Sequence, residues 1–133
     1  MKRTEARELA FYIIFEHSFS LESVDSIIEN CSMARDVSVP DFSRNLAEGV
    51  ISNITAIDEK ITEFSKGWSL ERISKVSLAV LRLAVYEMQY SEDVPVSVTI
   101  NEAVNLCKTY AGEDEYAFVN GILGSLARAT SEE

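Results

Sequence analysis

The stretch from Gly67 to Met88 reads G-W-S-L-E-R-I-S-K-V-S-L-A-V-L-R-L-A-V-Y-E-M and decides the fold. Its second half, from Leu78 to Met88, is apolar at every position except Arg82 and Glu87. A helix that is apolar nearly all round must be covered on several sides. Its length of about 16 Å is too short to cross a bilayer. The stretch therefore predicts a buried central helix, with the rest of the chain packed around it.

Two serines are candidate starts for this helix. Ser69 is a candidate N-cap for an amphipathic turn that leads in, and Ser77 could cap a second helix directly after it. Within the helix, Arg82 and Glu87 lie about 140° apart around the axis, so they do not face each other. Each therefore needs a partner from another helix, and Glu102 is a candidate for Arg82. We expect a structural buried ion pair.

The composition indicates a single soluble domain spanning residues 1–133. The hydrophobic fraction is 47%, and the chain holds only two prolines and five glycines. A formal net charge of −10 argues against a broad surface that coats nucleic acid, but it allows a small basic patch. Cys31 and Cys107 stand apart, as expected for two buried thiols in a reducing cytosol. No apolar leader segment is visible, so we expect a cytoplasmic protein without a membrane anchor.

Helical periodicity predicts three helical regions before the central stretch. The first covers 4–17 and is apolar over so much of its surface that it is buried on two sides, or keeps one side for a partner. After a loop around 18–23, the second runs over 24–35 with Ser23 as its cap. The third begins at Pro40-Asp41 and ends before Lys66-Gly67, with a break near Thr55 left open.

Two helices follow the central one. Thr99-x-x-Glu102 matches a capping box, although Pro95 is also acceptable at a first helical position and would start that helix one turn earlier. Gly112 ends it. The last helix runs over about 115–129, where Gly121 and Gly124 are interpreted as points of close approach by another helix. The pattern as a whole predicts an all-α protein.

No catalytic or metal-binding motif is visible in the sequence. His17 is the single histidine, and no serine or cysteine lies in a nucleophile motif. Glu113, Asp114 and Glu115 form an acidic run, but carboxylates are favoured at a helix N-terminus because they interact with the helix dipole. A metal site would need more converging ligands. We therefore predict no enzyme activity, no cofactor and no metal.

Four sequence blocks in a fixed order carry a family resemblance. They read W-S-L-E-R-I-S-K-V, L-A-V-L-R-L-A-V-Y-E-M, V-P-V-S-V-T-I-N-E-A-V-N-L and Y-A-G-E-D-E-Y-A-F-V-N-G-I-L, after an opening R-x-x-x-R-E-L-A-F. Over nearly the whole chain, this order resembles the NusB transcription antitermination family. The resemblance implies an all-α fold of two small helix bundles, with about seven helices around the buried central one.

The resemblance also implies a function in transcription. Members bind the boxA segment of ribosomal RNA leaders as a heterodimer with NusE, a small-subunit ribosomal protein, within the RNA polymerase antitermination complex. Carried over residue by residue, the family's RNA surface corresponds here to Lys2, Arg3, Arg7, Asp114, Tyr116 and Phe118, and Arg82 also matches a family arginine. Cations would take phosphates, an exposed aromatic ring would stack a base and a carboxylate would accept from a base amine. Phe118 fits the core equally well.

The sequence departs from the family pattern in two places. Arg3-Thr4-Glu5 stands where members with a dense basic start carry consecutive arginines, and Ser77 stands where many have an acidic residue. With about three cations on phosphates, the electrostatic part of RNA affinity should be modest and salt-sensitive, and NusE would supply much of the rest.

Three alternatives follow from these departures and from relatives of the family. One is a helical protein-binding module with little RNA affinity of its own. NusB-like domains also begin some ribosomal RNA methyltransferases, but the sequence ends at Glu133, so we expect no methyl-donor-binding domain. The third alternative is a homodimer of the free protein.

Overall fold

The structure, a computed structural model, describes residues 1–20 and 22–131. Within them every regular element is helical, which confirms the all-α prediction. The helices are Arg3–His17 (α1), Val24–Arg35 (α2), Asp41–Ser52 (α3), Ile54–Phe64 (α4), Lys75–Tyr90 (α5), Val96–Tyr110 (α6) and Glu113–Ser131 (α7), with a 3-10 turn at Leu70–Arg72. The predicted loop around 18–23 and the predicted domain end at 133 include positions outside the described residues.

Helix α5 lies at the centre of the packing, as the sequence predicts. It contacts α1, α3, α4, α6 and α7. Leu81 and Val85 have no exposed surface, and the apolar residues between 78 and 85 are buried throughout. On one side α1 packs on α2 and α3, while on the other α6 packs on α7 and α4 also reaches α7. These are the two small bundles, and α5 belongs to both.

The broad apolar surface of α1 is explained by burial. Six apolar side chains of this helix are buried: Ala6, Leu9, Ala10, Phe11, Ile13 and Ile14. They are covered because α1 packs against α2, α3 and α5. Of the two interpretations left open by the sequence, burial on more than one side is therefore the one observed.

The third predicted helix is broken into α3 and α4 at Asn53, two residues before the anticipated Thr55. Close helix packing occurs just before this break, at Gly49. A Cβ atom on Gly49 would lie 2.2 Å from the ring of Tyr86, so α3 crosses α5 where no side chain fits. Gly121, by contrast, has open space around its Cβ position, so the interpretation of that glycine as a contact point was wrong.

The N-cap of α5 is Ser74, so neither Ser69 nor Ser77 caps this helix. The Ser77 backbone N–H donates to Ser74 Oγ at 3.1 Å. Ser69 precedes the 3-10 turn and its side chain makes no cap hydrogen bond. Ser77 already lies inside the first turn, where its hydroxyl donates to Glu115 at 2.8 Å. A cap needs an extended backbone before the helix, and Ser74 has it, with φ −59° and ψ 152°.

Helix α6 begins at Val96, directly after Pro95, so the earlier of the two predicted starts is correct. The capping box was wrong because Thr99 lies within the helix, where its N–H already donates to the Pro95 carbonyl. Its Oγ1 is buried and has no hydrogen-bond partner among the described residues. Glu102 accepts a hydrogen bond from Thr4 Oγ1 at 3.0 Å, which joins α6 to the start of α1.

Candidate nucleic-acid interface

A buried ion pair joins Arg7 of α1 to Glu87 near the end of α5. Arg7 Nε donates to Glu87 Oε1 at 2.9 Å and lies 3.2 Å from Oε2. The two residues are 7% and 2% exposed. Removing either partner would leave a buried charge uncompensated, so the pair is tightly interdependent. Arg7, which the sequence predicts as a phosphate contact, is therefore paired with a structural partner. Its contact with RNA stays a prediction.

Arg82 lies on another side of α5 and pairs with Asp58 of α4. Its Nε and Nη2 each lie 2.9 Å from one Asp58 oxygen, which is the bidentate fork geometry. The predicted pairing of Arg82 with Glu102 is wrong, because α4 rather than α6 faces that side of α5. The expectation that Arg82 and Glu87 each take a partner from a helix other than α5 is confirmed. The Nε and Nη2 groups of Arg82 are thus occupied by Asp58. Its contact with RNA stays a prediction.

The exposed cations at the start of the chain are Lys2 and Arg3. The guanidinium carbon of Arg3 lies 3.9 Å from the centroid of the Phe42 ring on α3. Stacking on the ring fixes the plane of the group and leaves its N–H edges available for a phosphate. This end of the molecule has an open groove of about 810 Å³, which we call the N-terminal groove. It is lined by Arg3, Arg7, Phe42, Tyr90, Ser91, Glu92, Asp93, Val94, Pro95 and Val98.

The first turns of α7 hold the other predicted site residues. Asp114 is exposed and makes no hydrogen bond or ion pair with any described residue. Its neighbour Glu115 accepts from the hydroxyls of Ser74 and Ser77, so that carboxylate is fixed against the start of α5. Tyr116 is half-buried, with the Lys108 ammonium 4.8 Å from its ring centroid. Of the three carboxylates at the start of α7, Glu115 is therefore fixed, while Glu113 and Asp114 have no side-chain partner among the described residues.

Sequence reasoning did not single out Trp68, although it belongs to this region. Its ring centroid lies 5.7 Å from that of Phe118, with the planes at 58°. Phe118 is half-buried and packs against the core, so the core alternative is satisfied while one side still faces Trp68. The signal available in the sequence was a single tryptophan directly after the predicted helix end at Lys66-Gly67. We call the adjoining cavity the Trp68 pocket; it is lined by Trp68, Arg72, Ile73, Ser74, Ser77, Asp114, Glu115 and Phe118.

The structure places the two halves of the predicted RNA surface at opposite ends of α5. The N-terminal groove is lined by Arg7, the partner of Glu87, whereas the Trp68 pocket is lined by Ser74, the N-cap of α5, thirteen residues before Glu87. At 1.5 Å per residue this separation is about 20 Å. Helices α1 and α6 run side by side in the same direction, because Thr4 contacts Glu102 and Phe11 contacts Tyr110. A single strand touching both regions would therefore have to span the length of these helices.

Other candidate chemistry is sparse in the part of the chain that the structure describes. Both cysteines are buried, as predicted, and burial raises the pKa of Cys107 to about 11. No group of three or more His, Cys, Asp or Glu side chains within 1–20 and 22–131 is arranged to hold a metal ion. Within the same ranges no helix is both long and apolar enough to cross a membrane.

Comparison with known proteins gives one consistent result. The model of the NusB family matches residues 4–128. The transcription antitermination protein NusB of Acetivibrio thermocellus is 43% identical over 130 residues, which cover 96% of this chain and 90% of that protein. T. maritima NusB matches with a TM-score of 0.86 at 34% identity, covering 96% of this chain and 92% of its own. A chain from the crystal structure of antitermination factors NusB and NusE in complex with dsRNA also matches with a TM-score of 0.86, at 25% identity and with 96% of each chain covered. Because the family match spans nearly the whole chain and agrees with the fold, the chain belongs to the NusB family of transcription antitermination proteins.

Proposed function

We propose that this protein is a transcription antitermination factor that binds boxA RNA as a heterodimer with NusE. The observation that carries the proposal is family membership over residues 4–128. It is supported by the structural match to a NusB that was crystallised with NusE and dsRNA. The proposal includes action within the RNA polymerase antitermination complex, a cytoplasmic location and no enzymatic role. A single domain over 1–133 and a homodimer of the free protein stay predictions.

The proposed phosphate contacts begin with Lys2 and Arg3. Both are exposed, and stacking on Phe42 holds the Arg3 guanidinium beside the N-terminal groove. Contacts of this kind position RNA and carry little sequence information. We assign Arg7 to a supporting role, because its bond to Glu87 anchors the first turns of α1 from which Arg3 projects.

The proposed base contacts lie at the start of α7, at Asp114, Tyr116 and Phe118. Asp114 offers a free carboxylate to base N–H donors, while the aromatic rings offer surfaces for stacking. Lys108, in the last turn of α6, lies beside Tyr116. Its ammonium group can bind a phosphate of the RNA strand whose bases contact the start of α7. Arg82 is the weakest member of the predicted set, because Asp58 already occupies its fork.

The charge distribution supports a large contribution from NusE. Glu92 and Asp93 line the same groove as Arg3, so a phosphate entering it meets carboxylates as well as the cation. Because Arg3 is the one cation without an ion pair among the residues that line this groove, RNA affinity of the lone protein should be low there and should fall as salt rises. The second candidate function is a protein-binding module with little RNA affinity. It is favoured by the pairing of Arg7 with Glu87, which leaves one cation fewer for phosphates.

The test is binding of boxA and scrambled RNA to the heterodimer at several salt concentrations. Lys2→Ala with Arg3→Ala should weaken both RNAs alike and flatten the salt dependence by about one unit for each phosphate interaction removed. Lys60→Ala, which removes a cation from α4, is the matched control and should change neither. Unchanged affinity and salt slope in the double variant would favour the protein-binding module instead.

A further inference from the structure

The Trp68 pocket has the size and walls of a site for one flat ring. Its volume is about 230 Å³. Typical small-molecule sites span roughly 300–1,000 Å³, so this pocket suits a single ring system better than a whole cofactor. Its lining combines two aromatic rings, one arginine and two carboxylates, of which Glu115 is held by serine hydroxyls. The pocket therefore offers a stacking surface together with one free acceptor and one cation.

The backbone of Trp68 is held by hydrogen bonds, while its side chain is open to solvent. The residue is 49% exposed. Buried Ser65 holds its backbone from both sides: the hydroxyl donates to the Trp68 carbonyl at 2.7 Å, and the Ser65 carbonyl accepts from the Trp68 N–H at 3.3 Å. Between them, Lys66 and Gly67 form a tight turn with φ values of 52° and 92°. A ring on an ordered backbone can stack a ligand with little further loss of entropy.

Asp114 is the free acceptor of the pocket. A carboxylate only accepts hydrogen bonds when ionised, so it selects ligand edges that present N–H donors. Guanine carries N1–H and an N2 amino group side by side on its Watson–Crick edge, matching the two oxygens of one carboxylate. On that edge the other three RNA bases place an acceptor next to their donor, which the carboxylate would repel. The acceptor therefore favours guanine.

Arg72 is the one cation among the residues that line the pocket. It is exposed and makes no ion pair within the part of the chain that the structure describes. A guanidinium can bind a phosphate through two N–H groups. A nucleotide whose base lies against Trp68 would have its backbone at the pocket rim, where this group is available.

We propose that the Trp68 pocket takes one unstacked guanine of a single-stranded RNA, with the base on Trp68, its donor edge on Asp114 and a neighbouring phosphate on Arg72. The assignment rests on the proposed function, because it concerns the same RNA. It adds Trp68 and Arg72 to the binding residues and names the base that Asp114 reads.

The first experiment uses the unmodified protein in complex with a tryptophan-free NusE. Because Trp68 is the chain's only tryptophan, the fluorescence of the protein reports on the surroundings of this one ring. Single-stranded RNA with one guanine among pyrimidines should quench it. Replacing that guanine by inosine removes only the 2-amino group and should weaken binding about tenfold, as for loss of a hydrogen bond to a charged group. Affinity is measured in parallel from the anisotropy of dye-labelled RNA.

Variants separate stacking from base reading. Trp68→Ala should lower the affinity for the guanine-containing RNA by about 5-fold to 150-fold, whereas Trp68→Phe should keep most of that affinity. Asp114→Asn should abolish the preference for guanine over inosine. Glu29→Gln removes an exposed carboxylate from α2 and is the matched control, so it should leave that preference intact.

Each outcome decides between the two proposals. One outcome is that the guanine and inosine RNAs bind with equal affinity and that Trp68 fluorescence does not change. This result overturns the pocket assignment and leaves the proposed function standing. Quenching by NusE alone, with no further change on adding RNA, makes the pocket a protein contact and also overturns the assignment. Failure of any RNA to bind, with or without NusE, overturns both.

Discussion

Arg7 and Glu87 form a buried ion pair across 80 positions of sequence, with Nε 2.9 Å from Oε1. Glu87→Ala should therefore destabilise the fold by about 3–5 kcal/mol, because it leaves the Arg7 charge buried without a partner. Urea unfolding measures the change in the free energy of unfolding. The double variant Arg7→Met with Glu87→Leu removes both charges and should recover most of the loss. A loss below about 1 kcal/mol in Glu87→Ala would show that water reaches the pair.

Leu81 and Leu83 test the central position of α5. Both are buried, and replacing either by alanine should cost about 2–5 kcal/mol through reduced burial and the cavity left behind. Thermal and urea unfolding are the measurements. Met33→Ala is the control, because that side chain is exposed on α2 and its loss should change stability by less than about 0.5 kcal/mol. Equal effects at all three positions would contradict the observed packing.

Gly49 and Gly121 form a matched pair of glycine positions. Gly49→Ala should destabilise the protein by about 1–3 kcal/mol, since the new methyl group would overlap the Tyr86 ring. Gly121→Ala should stabilise it by about 0.5–1 kcal/mol, because alanine favours the helix and nothing lies within 4 Å of the added atom. Adding Tyr86→Leu to Gly49→Ala should restore part of the loss. Effects of the same sign at both glycines would refute this interpretation of the α3–α5 crossing.

Cys107 predicts a loss of stability at alkaline pH. Burial raises its pKa from 9.0 to about 11, so between these values the unfolded chain releases a proton that the folded chain keeps. The stabilisation is complete below pH 9 and disappears as pH rises towards 11, by up to about 2–3 kcal/mol. The measurement is the free energy of unfolding of the wild type and of Cys107→Ala at several pH values. The variant should show a shallower decline over this window, and parallel curves would exclude the thiol as the cause.

The sequence predicted the helices well because their signals are local. The apolar run between 78 and 88 identifies a central helix without any knowledge of its neighbours, and the break between α3 and α4 was anticipated within two residues. The N-cap of α5 was missed: Ser69 and Ser77 were the predicted candidates, whereas the backbone angles place the cap at Ser74, three residues before Ser77. Gly49 was missed because a close helix crossing depends on Tyr86, which lies far away in sequence.

For the candidate site, the sequence named residues, and their arrangement required the fold. A cation near a helix start is compatible with a phosphate contact, and only the fold shows that Arg7 faces Glu87 instead of solvent. Arg82 was wrongly paired with Glu102 because the sequence does not show which helix packs against that side of α5. Trp68 escaped attention because an isolated tryptophan is usually a core residue, and its exposure depends on the turn at Lys66-Gly67.

The partnership of Arg7 with Glu87 has a consequence for how the protein is made. On a ribosome that adds roughly 5–20 residues per second, the 80 positions between them take about 4–16 s to synthesise. During that interval the residues of α1 are already synthesised, but Arg7 has no counter-charge and the apolar side chains of α1 that contact α5 in the fold have no partner. Chaperones that hold short apolar segments would find α1 accessible in this window. Translation pauses before Glu87 should therefore lengthen the exposure of the nascent chain to proteases and aggregation.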